Sequence, residues 1–173
     1  MEIKGEYELP ASQETIWGLL NDVAVLRGCI PGCESLEATT ENQMTAIVVV
    51  KVGPIKARFE GEVELTDIVE PERYAILGEG RGGVAGFAKG RADISLEKSE
   101  SGTRLVYSVD VQIGGKIAQL GSRMIMSTSS KLSREFFDRF EARVLGGDDA
   151  ASSDDGEGSE DGRSAAGGVG ESI

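Results

Sequence analysis

The sequence contains no histidine. That removes the side chain that most often acts as general base, proton shuttle or metal ligand near neutral pH. Cysteine is almost as scarce: Cys29 and Cys33, both within CIPGC, are the only two. Two thiols without histidine cannot close a four-ligand zinc site in one chain, so they read as reduced thiols in a turn or as a redox switch. Cations are few, 18 lysines and arginines against 30 carboxylates, for a formal charge of −12. A nucleic-acid partner needs a basic stripe or domain, so none is expected. No apolar run is long enough to span a bilayer, and the opening MEIKGEYELP lacks the apolar core of a signal peptide. The expected location is the cytoplasm.

The charge is unevenly spread. Residues 146–173 hold eight acids and one base, a net of −7, which leaves −5 for residues 1–145. The segment GGDDAASSDDGEGSEDGRSAAGGVGESI has no large apolar side chain before Val169. It cannot bury enough surface to offset the entropy of ordering, so 146–173 is expected to be a disordered acidic tail, either solvated or a tether to a partner. Residues 1–145 are long enough to form one domain with its own core.

Within that domain the patterning is mostly of period two. Residues 2–9 alternate as a strand, and Pro10 ends it. Ser12 is a suitable N-cap for a short helix carrying Ile16, Trp17, Leu19 and Leu20, and Asp22 for a second with Val23, Val25 and Leu26. Trp17, the single tryptophan, reads as a core anchor. From 33 to 113 the chain is a meander with turns at Glu41-Asn42, Gly53-Pro54, Pro71-Glu72, Gly82-Gly83 and Ser101-Gly102. The run IKARFEGEVELT puts Ile55, Ala57, Phe59, Gly61, Val63 and Leu65 on one face and mostly charged residues on the other. Such alternation describes an antiparallel sheet with one dry face, of about seven strands in all. After Gly114-Gly115 the period becomes helical, through Ile117, Leu120, Met124, Thr128, Leu132, Phe136, Phe140 and Val144. One long helix over 116–145 is predicted, bent near Gly121 or the Ser127–Ser130 run.

The stretch Gly78–Gly90, GEGRGGVAGFAKG, has six glycines in thirteen residues. If the strands flanking it fold back at Gly82-Gly83, alternation sets Gly78, Gly80, Gly86, Ala88, Gly90 and Ala92 on the face shared by Tyr74, Ile76, Ile94 and Leu96. That core face has few side chains. It is either a cavity or a place where a helix packs closely on a curved sheet. The glycines do not form a phosphate loop, which needs Gly-Lys-Ser/Thr opening a helix.

Strand, two short helices, a long meander and a final amphipathic helix imply an α+β helix-grip fold, because only the concave sheet can bury the helix's apolar stripe. This order resembles the START-like (SRPBCC) superfamily. The motifs CIPGCESLE at 29–37, VKVGPIKARFEG at 50–61, GEGRGGVAGFAKG at 78–90 and IGGKIAQLGSR at 113–123 resemble the G-subunit family of carbon monoxide dehydrogenase over essentially all of 1–145. The resemblance implies a non-catalytic accessory of the aerobic, molybdenum-containing carbon monoxide dehydrogenase. Such an accessory helps to recruit the enzyme to the inner face of the cell membrane and so to the quinone pool. It implies no covalent cofactor.

Three functions are open from the residues. In the first, the sheet–helix cavity holds an apolar small molecule such as a menaquinone- or ubiquinone-like lipid. The expected ligand-facing residues are Trp17, Leu26, Tyr74, Ile76, Gly80, Phe87, Ala88, Tyr107, Met124, Thr128 and Phe136; Phe87 requires a bulge to turn it inward. In the second, recruitment works by surface contact with the dehydrogenase or as a peripheral membrane contact. Lys116, Arg123 and Arg134, spaced to share one helix stripe, would then carry it. The third is a cyclase- or hydrolase-like enzyme with Glu79, Arg81, Asp110 and the two tyrosines Tyr74 and Tyr107 as candidates. Alternation turns Glu79, Arg81 and Asp110 away from the core, and no nucleophile–base pair is visible.

Overall fold

The computed structural model describes the backbone of residues 1–152 and the side chains of residues 1–146. The elements run β1 (Glu2–Leu9), α1 (Gln13–Leu20), α2 (Val23–Cys29), β2 (Cys33–Thr40), β3 (Gln43–Val52), β4 (Ile55–Val69), β5 (Arg73–Arg81), β6 (Phe87–Ser99), β7 (Gly102–Gly114) and α3 (Ser122–Ser152). The seven strands form one antiparallel sheet in the order β1-β7-β6-β5-β4-β3-β2, so only β1 has left its place in the sequence, to close the edge beside β7. This is the helix-grip architecture, with α1 and α2 between the two edge strands and α3 across the dry face.

Local chemistry accounts for the helix starts. The Ser12 hydroxyl accepts the Thr15 N–H at 3.2 Å, and Asp22 Oδ1 accepts from Ala24 at 2.9 Å and Val25 at 3.3 Å. Each cap satisfies amides that have no partner inside the helix.

Antiparallel pairing divides the connections between two ends. The upper end holds the β3–β4 turn at Gly53-Pro54, the β5–β6 connection and the link from β7 to α3; the lower end holds the β2–β3, β4–β5 and β6–β7 turns. The core cluster lies around α1, α2 and the lower halves of the strands. It comprises Leu9, Ile16, Trp17, Leu20, Val25, Cys29, Tyr74, Leu96, Leu105 and Phe140. Phe140 has no exposed surface. Next to it, Tyr7 stacks on Phe137 at 3.9 Å between ring centroids, and Phe136 stacks on Phe140 at 5.7 Å.

Two expectations are corrected here. The helix does not begin at Lys116: residues Lys116–Leu120 form a 3-10 turn, Gly121 takes φ +92, and α3 starts at Ser122. A left-handed residue ends helical hydrogen bonding, so the anticipated bend is a full break. The β5–β6 turn is not Gly82-Gly83 but the five-residue stretch from Gly82 to Gly86, with a short 3-10 turn and Gly86 at φ +124. The longer connection pairs Gly80 with Ala88 and Gly78 with Gly90, which keeps both on the face of Tyr74 and Ile76. At the other end α3 continues to Ser152, seven residues past Leu145. The rest of the acidic tail, 153–173, lies outside the described residues.

Candidate functional site

A cavity of about 630 Å³ lies between the sheet and α3. Its floor is the inner face of β3, with Met44, Ala46, Val48 and Val50, continued by Val63 and Leu65 of β4, Ile76 of β5 and Ala92 and Ile94 of β6. Leu132, Phe136 and Phe137 of α3 form the roof, and Leu26, Ile30 and Pro31 close the α2 side. The polar lining residues Asn21, Glu41 and Asn42 are exposed and form a rim at the lower end. A volume of this size suits a lipid-sized guest, and an apolar wall with few polar groups is the usual composition of such a site.

Of the sequence-predicted ligand residues, Leu26, Tyr74, Ile76, Tyr107 and Phe136 line this space. Trp17 is buried behind the wall, edge-on to Tyr74 at 5.2 Å. Gly80, Phe87, Ala88, Met124 and Thr128 lie outside the lining. The cavity therefore lies beside the glycine-rich stretch, toward β3, instead of over it: Val63 and Met44, in register with Gly78, and Ala46, in register with Gly80 through Gly61, line it. A Cβ at Gly82 would stand 2.7 Å from the Phe59 ring, one at Gly78 3.3 Å from Val63, and one at Gly61 3.0 Å from the Glu79 carbonyl. The missing side chains let the strands and Phe59 approach one another. Phe87 stays on the outer face, 42% exposed, with its ring against Gly114; no bulge turns it inward. Met124 packs on Gly53 at the β3–β4 turn.

Sequence reasoning missed the whole floor strand and Phe137. In QMTAIVVVKV both parities are apolar, since Ile47 and Val49 alternate with Val48 and Val50, so periodicity alone does not reveal the inner face. Phe137 escapes notice because it falls one residue beside the stripe traced through Phe136 and Phe140.

The enzyme candidates are on the opposite face. Glu79 pairs with Arg81 at 3.3 Å, and Asp110 is exposed, 3.9 Å from the N-terminal ammonium. Burial raises the pKa of both thiols, Cys29 and Cys33, which favours the inert protonated form. Among the described residues no group of three or more His, Cys, Asp or Glu is arranged to hold a metal ion.

The surface candidates separate. Lys116 sits in the 3-10 turn before Gly121, outside α3, so the predicted single stripe is broken. Lys116 and Arg123 belong to the upper end, whereas Arg134 lies about 16 Å further along the helix. That upper end is distinctive. Residues 50–58, 80–90 and 111–126 hold seven of the 18 cations and none of the 30 carboxylates. It also carries Val84, 84% exposed at the loop tip, with Phe87, Met124 and Met126 partly exposed. No helix among the described residues is long and apolar enough to cross a membrane.

Residues 5–145 match the family model described as the G subunit of carbon monoxide dehydrogenase (CoxG). The chain belongs to the CoxG family. Among solved structures, a conserved protein of Geobacillus kaustophilus is 31% identical and superposes with a TM-score of 0.79, over 84% of this chain and 95% of that one. A Thermus thermophilus protein, at 22% identity and a TM-score of 0.63 over 88% and 100%, supports the fold only. So does a Mycobacterium smegmatis protein, at 14% and 0.62 over 83% and 90%. No curated protein matches the chain. A CoxG-family domain thus carries an apolar cavity between β3 and α3 and a basic, apolar-tipped upper end.

Proposed function

We propose that this CoxG-family protein is a non-catalytic accessory of the aerobic, molybdenum-containing carbon monoxide dehydrogenase. It carries an apolar, quinone- or isoprenoid-like molecule in its cavity and couples the enzyme to the membrane quinone pool. Family membership supports the association with the dehydrogenase. The observation that carries the ligand reading is the 630 Å³ space walled by Met44, Val48, Val50, Leu65, Ile76 and Phe136. Empty apolar space of that size is costly to maintain, because its lining forgoes the dispersion contacts that close packing supplies. Organic extraction of freshly purified full-length protein, followed by mass spectrometry, is expected to release a quinone or isoprenoid in a fixed ratio to the chain. Consistently empty protein that also fails to take up an added quinone would overturn the reading.

A second reading, recruitment by surface contact, is favoured by the charge segregation. In a chain of net charge −12, an end with seven cations, no carboxylate and a protruding Val84 suits an acidic partner surface or the inner face of the cell membrane. Charge reversal at Lys116 and Arg123 should then abolish co-purification with the dehydrogenase, while reversal at Arg134 should not. Unchanged co-purification in both variants would leave that end as ordinary solvated surface.

A further inference from the structure

Among the described residues, Arg143 of α3 alone has a buried side-chain polar atom without a hydrogen-bond partner, its Nε. The side chain as a whole is half-buried and lies against α2 at Gly28, where an added Cβ would stand 3.9 Å from Nη1. Half-burial strips part of the hydration from the guanidinium, and no described group replaces it. Two more arginines share this corner. Arg27 is the exposed neighbour of Gly28, with its Nη2 no closer than 3.5 Å to the Leu36 carbonyl of β2. Arg139 is exposed one turn before Arg143, and the charges of both act on the buried Cys29 thiol at the end of α2. No ion pair among the described residues involves any of the three, although Glu135 lies one turn before Arg139 on the same helix.

The chain supplies the opposite charge close by. Residues 153–162 hold Asp154, Asp155, Glu157, Glu160 and Asp161 and no base. They follow Ser152, the last residue of α3, which lies about 14 Å along the helix beyond Arg143. Returning over that distance takes about four residues of extended chain. Asp154 and Asp155 fall short of it. Glu157, Glu160 and Asp161 reach, the last with about 30 Å of chain available, and Gly156 and Gly158 tolerate the backbone angles of a sharp reversal. The same arithmetic excludes the upper end: Arg123 stands about 43 Å back along α3, beyond all five acids.

We propose that the corner formed by Arg27, Arg139 and Arg143 is the docking site of this chain's own acidic segment, with Glu157, Glu160 and Asp161 as the carboxylates that meet the guanidinium groups. Chemistry and tether select the same occupant. A guanidinium presents a planar fork of donors that matches a carboxylate. A segment joined to α3 a few residues beyond the corner is present there at an effective concentration of roughly millimolar. Once docked, it straps α2 to α3. Leu26 and Ile30, which flank Arg27 and Gly28 in sequence, close the α2 side of the cavity, so the strap holds that wall in place whether or not the cavity is filled.

The test compares nitrogen-labelled full-length proteins by amide NMR at low salt. One variant neutralises the five acids: Asp154→Asn, Asp155→Asn, Glu157→Gln, Glu160→Gln and Asp161→Asn. It leaves residues 1–152 unaltered. Relative to it, the wild type should show shifted amides at Arg27, Gly28, Arg139 and Arg143 and a shifted Arg143 Nε–H, with Lys116 and Arg123 unmoved. Sodium chloride at about 0.5 M should erase the difference, because it screens exposed charges over a few ångströms. The reciprocal variant, Arg139→Gln with Arg143→Gln, keeps the acids and should let trypsin cut after Arg163, the single base beyond Arg143, about two- to fivefold faster. If that variant melts lower than the wild type, the spectra of the acid-neutralised chain carry the test alone. Unmoved resonances at all four corner residues, or an unchanged cleavage rate in a reciprocal variant of wild-type stability, overturn the docking. Shifts confined to Lys116 and Arg123 would put the acids on the upper end and overturn the corner as their site.

Discussion

The two ends of the grip solve the same problem in opposite ways. At the lower end the sheet carries large side chains, among them Tyr7, Tyr74, Leu105 and Tyr107, and faces a helix with Phe136, Phe137 and Phe140. Between that aromatic cluster and β3 lies the cavity of about 630 Å³, floored by Met44, Ala46, Val48 and Val50. At the upper end the inner face is nearly bare at Gly78, Gly80, Ala88 and Gly90, yet none of these four lines that cavity. A Cβ at Gly90 would meet the Asp110 carbonyl and one at Gly78 the Val63 side chain, whereas one at Gly80 would make only ordinary contact with Phe59. Bare positions on a sheet do not by themselves become ligand space, because neighbouring backbone and side chains can take it up.

The comparison can be broken most directly at the upper end. A Cβ at Gly90 would run into the Asp110 carbonyl of the neighbouring strand, which cannot swing aside as a side-chain tip can. Gly90→Ala should therefore cost about 3 kcal/mol in urea unfolding, the upper range for overpacking. It should leave quinone affinity of the folded fraction unchanged. A stable Gly90→Ala protein would mean that the strands at the upper end have room to separate.

The same kind of addition at the lower end should behave differently. Ala92 lines the cavity, so Ala92→Leu has space to enter. Its effect on stability should stay below about 1 kcal/mol, while extraction recovers no ligand and added quinone no longer binds. A large loss of stability with ligand retained would show that Ala92 packs against a wall and not a void.

The smallest expected effect concerns how the lower end is fastened. Glu8, near the end of β1, accepts from Ser99 at 2.8 Å, Ser101 at 2.9 Å and Arg104 at 2.7 Å, which ties the edge strand to the β6–β7 turn. Hydrogen bonds from Ser99, Arg104 and Ser101 hold its carboxyl below the ordinary range. A depressed carboxyl contributes stability above its unfolded pKa and loses that contribution as pH falls through its folded pKa. Glu8→Gln should therefore lower the denaturation midpoint slightly at pH 7, and the difference from wild type should shrink on acidification. The carboxylate and its partners are open to solvent, so the shift should be small and weaken further with salt.

How much of this is legible in the sequence differs between elements for physical reasons. IKARFEGEVELT declares its inner face because polar and apolar residues alternate along it, and Ser12 and Asp22 declare helix starts because capping is local. In β3, where Ile47, Val48, Val49 and Val50 are consecutive, the inner face is set by pairing with β2 and β4, and so the cavity floor could not be read. As a residue type, Gly121 signals no more than a bend in a helix. Its φ of +92 makes it a break, and that moves Lys116 off the stripe that spacing alone assigns to it with Arg123 and Arg134.

By itself the sequence determined what each segment could become. Its periodicities specify strands and an amphipathic helix, its caps and glycines their limits, and its lack of histidine and of inward-facing acids the chemistry left to it. These are properties of short stretches, fixed by steric preference and side-chain character. The tertiary structure alone decided where the empty space lies. Volume between a sheet and a helix depends on how residues remote in sequence, such as Met44, Val50, Ile76 and Phe136, come together around it, and no local pattern encodes that arrangement.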